Sequence, residues 1–154
     1  VIQVFSNAIN SRKSAYDLVW EVVKQIELNL GYDDCVLYLF DDDKECLIQM
    51  AALGTKKVNQ KHILDAIRIE PGEGIVGGVF ISGNARIIGD TTVEGNYIID
   101  DRFRLSEISI PIIDNGEIIG VIDSENAAEN YYTENDLEVL TEVAALIAAK
   151  LSEF

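Results

Sequence analysis

Apolar residues at both ends of the chain recur with the spacing of α-helices. Over residues 1–30 they stand three or four positions apart in two neighbouring stripes, which predicts one long helix ended by Gly31, with Arg12 as the only break in the main stripe. The segment that begins at Thr133 has the form of a capping box and predicts a helix to about Phe154. Both faces are wider than packing on one sheet requires, so we expect a second copy to cover part of them. Packing within one protomer is the alternative.

Between these helices the pattern changes to that of strands separated by polar turns. Strands are predicted at 35–40, 45–53, 66–70, 86–89, 107–113 and 117–125. A short helix is predicted over 73–82, and Pro111, which lacks a backbone N–H, predicts a bulge or an unpaired stretch. Helix, antiparallel strands and helix in this order predict an α+β fold. The polar segment 89–104 is long for a connection inside a domain, which favours a lid over a functional site.

The segment from Gly72 to Gly77 matches the G-x-G-x-x-G pattern of dinucleotide sites. Such a site needs a parallel strand–helix–strand unit with an acidic residue about 20 positions later. Here the predicted neighbours are hairpins and the helix is too short to be a crossover. We therefore expect no nucleotide site, and we expect the glycines to allow close approach of the backbone beneath the lid.

The register of the last two predicted strands decides which side chains share a face. A two-residue Asn-Gly turn would send Glu107 and Asp123 to opposite faces. A three-residue loop over 114–116 instead pairs Ile113 with Glu117, sets Glu107 opposite Asp123 and places the alternating isoleucines of both strands on one face. The isoleucine pattern favours the three-residue loop.

Two carboxylates opposed across neighbouring strands repel each other, and Glu125 adds a third acid on the same face. The repulsion between these acids could be offset without a ligand, by water, by a shared proton or by solvent exposure. Arg102 or Arg104 could also neutralise them. Alternatively, the acids receive the donor groups of a small polar or cationic ligand. The candidate ligand-binding residues are Glu107, Asp123, Glu125, Ser109, Tyr97 and Asp101.

Four segments, taken together and in order, carry a family resemblance. They read IEPGEGIVG at 69–77, SEISIP at 106–111, GVIDSE at 120–125 and YTENDL at 132–137. With them the chain resembles a GAF domain, the small-molecule sensor module of signalling proteins, over residues 12–154. The resemblance implies a six-stranded antiparallel sheet, with terminal helices on one face and a ligand pocket under a lid on the other. Residues 1–11 then form an N-terminal linker or dimer-forming segment.

Within this family the pocket acids resemble those of free methionine-(R)-sulfoxide reductases, whose acids match Glu107, Asp123 and Glu125. Those enzymes use cysteines around the first pocket helix and the lid, whereas Val76 stands at one such position here and no cysteine occurs between 73 and 107. Because a thiolate is the required nucleophile, we predict no enzymatic activity. The signature of cyclic-nucleotide GAF domains and the pocket cysteine of bilin-binding members are also missing.

The remaining metal-binding and redox residues do not form a site by their spacing. Cys35 and Cys46 are expected to lie too far apart to form a disulfide bond and to remain reduced thiols. His62 is the single histidine and stands in a polar segment, so we expect it to be solvated rather than to bind haem. We predict no cofactor and no metal site.

The net charge of the chain limits the kinds of molecule that it can bind. The 154 residues carry 12 Lys and Arg against 27 Asp and Glu, a net charge of −15, which argues against nucleic acids and anionic membrane surfaces. No apolar run is long enough for a membrane span, and we expect a cytoplasmic location. The first residue is Val rather than Met, which suggests a piece of a longer chain.

Three functional hypotheses follow. The first is a non-catalytic sensory or relay domain of a larger signal-transduction protein, homodimeric through its terminal helices and fused to an output domain such as a histidine kinase or a cyclase. Ligand capture would order the lid and shift the terminal helices. The second is a structural dimerisation module with a vestigial pocket. The third is an enzyme related to the methionine sulfoxide reductases.

Overall fold

Six antiparallel strands and four helices make up the part of the chain that the computed structural model describes, residues 1–59 and 61–154. The helices are α1 (Ile2–Asn10), α2 (Ala15–Leu30), α3 (Gly74–Ser82) and α4 (Glu134–Leu151). The strands are β1 (Cys35–Asp41), β2 (Cys46–Leu53), β3 (Arg68–Ile69), β4 (Arg86–Ile88), β5 (Ser106–Asp114) and β6 (Glu117–Asn126). Short 3₁₀ turns lie at Gly54–Lys56 and Thr91–Val93. The strands form one sheet in the order β3-β2-β1-β6-β5-β4, which confirms the predicted fold class.

The two faces of the sheet are covered by different elements. On one face, Leu37, Ile110 and Ile122 pack in a single apolar core with buried residues of α1, α2 and α4. On the other face, a smaller apolar cluster includes Val79 of α3 and Val121 of β6. The alternating isoleucines of β5 therefore lie under the terminal helices, as predicted, and the opposite face is left for α3 and the lid segment (89–104).

The N-terminal helix is interrupted, so the prediction of one helix over 1–30 was wrong. Helix α1 ends at Asn10, and the side chain of Ser14 accepts a hydrogen bond from the backbone N–H of Asp17 at 3.1 Å to begin α2. A serine that satisfies a free N–H at a helix start favours a new N-terminus over continuation. The end of α2 was predicted correctly, because Gly31 adopts the left-handed conformation with φ 70°.

The C-terminal helix begins as the sequence predicts. The Thr133 side chain accepts from the N–H of Asp136, and the Asp136 side chain accepts from the N–H of Thr133, which completes the capping box. Helix α4 ends at Leu151, three residues before the predicted end. Within the described residues, none of the helices combines the length and the apolar character that crossing a membrane requires.

Candidate functional site

The hairpin that carries the acids turns through two residues. Asn115 and Gly116 both have positive φ, 49° and 82°, and Asp114 pairs with Glu117. Asn-Gly is the preferred sequence of this two-residue turn because both residues tolerate positive φ. The predicted three-residue loop was therefore wrong.

A β-bulge next to the turn keeps the acids on one face despite the two-residue turn. The register shifts between Ile112 and Ile113, where Ile119 of β6 has no partner in β5. An extra residue reverses the alternation of side chains, so it cancels the effect of the shorter turn. A bulge or an unpaired stretch was expected at Pro111. The bulge lies one residue later, since Pro111 is paired with Val121, whereas the side of β5 that faces β4 is unpaired at Pro111. Pro111 lies beyond the part of β5 that β4 covers.

The resulting register brings four predicted site residues together. Glu107 pairs with Glu125, and Ser109 pairs with Asp123, so Glu107 is the diagonal rather than the direct neighbour of Asp123. One carboxylate oxygen from each of the three acids lies within 4.8 Å of the others, and the acids are only 4–7% exposed. Oxygens at this spacing could also hold a metal ion, an arrangement that a search for histidine and cysteine spacing does not detect.

Three polar atoms of this cluster are buried with no hydrogen-bond partner among the described residues. They are Oε1 of Glu107, Oγ of Ser109 and Oδ1 of Asp123. Buried polar groups in proteins are almost always paired, and leaving one unpaired costs about 1–3 kcal/mol. Glu107, Ser109, Asp123 and Glu125 form the floor of the site. This floor therefore presents several unsatisfied hydrogen-bonding atoms close together.

Burial sets the protonation of these acids. Burial and, to a smaller extent, the neighbouring charge of Glu107 together raise the pKa of Glu125 to about 9. Burial also raises the pKa of Glu107, and it raises the pKa of Asp123 well above its ordinary value, with the charge of Glu107 adding to the shift. A hydrogen bond between the two carboxyl groups lowers the pKa of Glu107 and raises that of Asp123. The cluster therefore holds protons near neutral pH when no cation is bound.

Compensation of the acids by Arg102 or Arg104 was one alternative from the sequence, but Arg86 is the arginine whose charge lowers the pKa of Glu107. Arg104 instead makes ion pairs with Asp101 at 2.7 Å and with Asp34 at 3.4 Å. Arg102 is exposed. Of the two arginines considered from the sequence, neither forms an ion pair with the acids of the floor.

The two predicted site residues of the lid segment have different positions. The hydroxyl of Tyr97 donates to Oε1 of Glu125 at 2.5 Å and accepts from the N–H of Arg104 at 3.0 Å, so Tyr97 contacts the cluster. Asp101 is instead bound to Arg104 and to the hydroxyl of Thr55. Burial alone would raise the pKa of Asp101, but these hydrogen bonds outweigh it and lower that pKa to about 2. Asp101 thus anchors the lid, outside the acid cluster.

A small cavity separates the acids from the lid segment. Its volume is about 20 Å³, enough for roughly one water molecule. The acids line one side, and the apolar wall consists of Ile67, Ile69, Ile75, Val76 and Ile98. An organic ligand can enter only if the lid moves, since Ile98 belongs to it.

Residues 13–152 match the family model described as the GAF domain. The chain belongs to the GAF domain family.

Two solved structures share the fold of this GAF domain. The GAF domain of the Acinetobacter phosphoenolpyruvate-protein phosphotransferase has 19% sequence identity and a TM-score of 0.87, over 99% of this chain and 90% of that chain. Free methionine-R-sulfoxide reductase from Neisseria meningitidis, solved with its substrate, has 20% identity and a TM-score of 0.88, over 99% and 86%. At these identities the likeness shows the fold.

A curated relative, Protein YtsP of Bacillus subtilis (strain 168), is 31% identical over 87 residues. The match covers 56% of this chain and 53% of the relative, so it spans about half the length of that protein.

The lid of this GAF domain is held closed by residues that the sequence did not single out. Lys56 is 1% exposed, and its Nζ lies 2.8 Å from Oδ1 of Asp100, which lines the cavity. The amide of Gln49 donates to the other oxygen of Asp100 at 2.8 Å and to the hydroxyl of Tyr38 at 3.1 Å. With the Asp101–Thr55 contact, the turn Gly54–Lys56 therefore holds two consecutive lid carboxylates.

Of the residues that hold the lid, Gln49 could have been identified from the sequence, whereas Lys56 could not. Gln49 occupies the same side of β2 as the buried Leu47, two positions away, so a polar side chain at that point indicated a polar site. Lys56 stands beside Lys57 in a polar stretch, which is the pattern of solvated lysines.

The other metal-binding and redox candidates lie away from the cluster. Cys35 and Cys46 are both buried free thiols, and burial raises the pKa of the Cys35 thiol well above its ordinary value. A thiol with a raised pKa is a poor nucleophile. His62 is exposed, as expected from its polar surroundings.

Gly74 confirms that a glycine of the G-x-G-x-x-G segment allows close approach of the lid. Its φ is 65°, and a Cβ at this position would collide with the side chain of Ile98.

We expect Gly74→Ala to lower the free energy of unfolding by about 1–2 kcal/mol, because alanine is strained at positive φ and displaces the lid. Urea unfolding measures the change. Gly78→Ala is the matched control: it lies in the same helix with open space around its Cβ and should be neutral or stabilising. Equal effects of the two substitutions would contradict this account of the lid.

Proposed function

We propose that this GAF domain is a non-catalytic sensory or relay domain that captures a small polar or cationic ligand beneath its lid. The observation that supports this most strongly is the set of unpartnered buried atoms on Glu107, Ser109 and Asp123. Ligand N–H donors would satisfy these acceptors, and a cation would also stabilise the charged form of acids that burial keeps protonated. A positive ligand is therefore favoured over an anion, which would meet three acids at low dielectric.

Several features support a binding role rather than catalysis. The described cavity wall contains Val76 and no cysteine, and the buried Cys35 belongs to the core on the helix side of the sheet. The acids can exchange protons, but covalent attack on a sulfoxide needs a thiolate that can reach the ligand. We therefore do not assign the reaction of the sulfoxide reductases to this chain. A turnover assay in which this chain produced methionine from methionine sulfoxide would overturn the proposal.

In the proposed relay, the lid closes on a ligand and alters the conformation of the sheet. The terminal helices pack on the other face of the sheet and shift with it. We expect the signal to pass to a fused output domain such as a histidine kinase or a cyclase through a homodimer of these helices. Support for the dimer comes from α1 and the residue before it, where Val1 is 59% exposed and Val4 is 43% exposed. Sedimentation at micromolar concentration tests this part, and a 17.0 kDa monomer would contradict it.

The ligand class can be tested by thermal unfolding at pH 7.5 and constant ionic strength with three probes: methylammonium, tetramethylammonium and acetate. Methylammonium offers both charge and N–H donors, so we expect it to raise the Tm by a few degrees, about 2–4 °C for each kcal/mol of binding free energy. Tetramethylammonium has the charge without a donor and should have little effect. Glu107→Gln should abolish the shift, whereas Glu117→Gln, an exposed acid on the same hairpin, should retain it. No shift with methylammonium, or a larger one with acetate, would contradict the proposal.

The second candidate function is a structural dimerisation module with a vestigial pocket, which the small cavity of about 20 Å³ favours. In that case a substitution such as Glu107→Gln leaves stability unchanged or raises it, because it removes a buried acid that serves no ligand. No small cation then changes the Tm of the native chain.

A further inference from the structure

A second and larger pocket lies beside the first turns of α2, separate from the acid cluster. Its volume is about 350 Å³, within the range of roughly 300–1,000 Å³ typical of small-molecule sites. It is lined by Arg12, Asp17, Trp20, Glu21, Lys24, Lys57 and Lys61. They come from α2, from the segment before it and from the segment that follows the turn Gly54–Lys56.

The pocket is basic in a strongly acidic chain. Four of the twelve basic residues of the sequence line it. Two of them are matched, because Arg12 pairs with Glu21 at 3.2 Å and Lys61 pairs with Asp17 at 2.8 Å. Lys24 and Lys57 have no carboxylate of the described residues within 4.0 Å. Two positive charges are therefore left without a partner in one pocket, although the whole chain carries −15.

The wall of this pocket also contains a buried donor without an acceptor. Trp20 is 6% exposed, and its indole Nε1 has no hydrogen-bond partner among the described residues. An indole N–H can only donate, and so can a lysine ammonium. The groups that lack partners in the pocket are therefore all donors, and their complement is an anion rich in acceptor oxygens.

We propose that this pocket binds the phosphate group of a small molecule. A phosphate monoester carries about −1.5 to −2 charge near pH 7 and three acceptor oxygens, which match the two unpaired lysines in charge and in hydrogen bonding. Lysine is an established phosphate ligand that acts as a point charge. The proposal is independent of the acid pocket, since the two sites share no residue.

A bound phosphate would connect two parts of the chain. Arg12 lies in the break between α1 and α2, whereas Lys57 and Lys61 lie in the segment between β2 and β3. The turn Gly54–Lys56, which holds the lid carboxylates, is the start of the same β2–β3 segment. Phosphate at this point would therefore fix the start of α2 against the base of the lid, which gives the site a means to regulate ligand capture.

The single tryptophan of the chain provides a direct readout, because Trp20 is part of the pocket. Emission is recorded while inorganic phosphate, glycerol phosphate or succinate is added at pH 7.5, with chloride keeping the ionic strength constant. We expect a saturable change with both phosphates and at least tenfold weaker binding of succinate. Lys57→Glu and Lys24→Glu should each weaken phosphate binding at least tenfold, whereas Lys44→Glu, on the distant β1–β2 turn, should not.

Circular dichroism confirms that the lysine variants are folded. No saturable change, equal affinity for succinate, or unchanged binding by Lys57→Glu and Lys24→Glu would overturn the assignment. Glu107→Gln should leave phosphate binding intact, which separates failure of this site from failure of the acid pocket.

Discussion

Replacing Lys56 with methionine is expected to lower the free energy of unfolding by about 3 kcal/mol. The ammonium of Lys56 lies 2.8 Å from Oδ1 of Asp100 and donates to the backbone carbonyl of Asp65 at 3.0 Å, in a place that is almost closed to solvent. Methionine fills similar volume but leaves the Asp100 carboxylate partly buried without its cation, and breaking a buried ion pair on one side costs about 3–5 kcal/mol. Urea unfolding at pH 7 measures the change.

Two further variants separate loss of the ion pair from loss of packing. Lys56→Met combined with Asp100→Leu removes both charges, and we expect it to recover much of the lost stability. Lys44→Met, an exposed lysine on the β1–β2 turn, should change stability by less than about 0.5 kcal/mol. If Lys56→Met were no more destabilising than Lys44→Met, the ion pair would not hold the lid.

The second large effect is a fall in stability as the pH rises. Glu125 has a folded-state pKa of about 9, above its ordinary value of 4.5, so the unfolded chain loses this proton first. Its contribution is therefore complete below about pH 4.5 and is lost progressively up to about pH 9. Asp34, whose pKa burial raises to about 7 despite the nearby Arg104, acts in the same direction. Glu125 alone should remove about 1 kcal/mol per pH unit in this window.

Urea unfolding at pH 5, 6, 7 and 8 tests the sign and the source of this dependence. The native chain should lose at least about 3 kcal/mol between pH 5 and pH 8. Glu125→Gln should flatten the curve by the amount that one titrating group contributes, whereas Glu117→Gln should leave the slope unchanged because Glu117 is exposed. Parallel curves for the native chain and Glu125→Gln would show that Glu125 is ionised in the folded protein.

Local sequence signals predicted the elements of the fold well. Gly31, the capping box at Thr133 and the alternating isoleucines of β5 each act within a few residues, so the helix end, the helix start and the buried face follow from the sequence alone. The break at Ser14 was missed because the apolar spacing continues almost unchanged across it, while the serine side chain decides the local backbone.

The acids of the candidate site were predicted to share one face of the sheet, but their register was not predicted correctly. A two-residue turn and a bulge at Ile119 compensate each other, and periodicity cannot distinguish this pair from a single three-residue loop. The acids therefore share a face as expected, although Glu107 pairs with Glu125 rather than Asp123. Lys56 was missed because its burial depends on the lid, which contacts it from 44 residues further along the chain.

We expect the three buried acids Glu107, Asp123 and Glu125 to be protonated near neutral pH, because none of them forms an ion pair among the described residues. Side-chain carboxyl NMR of the ligand-free chain, titrated from pH 3 to pH 10, measures this without knowledge of the ligand. We predict that Glu125 titrates near pH 9 and that Glu107 and Asp123 titrate above their ordinary range. Ordinary or lowered pKa values for all three buried acids would contradict the account.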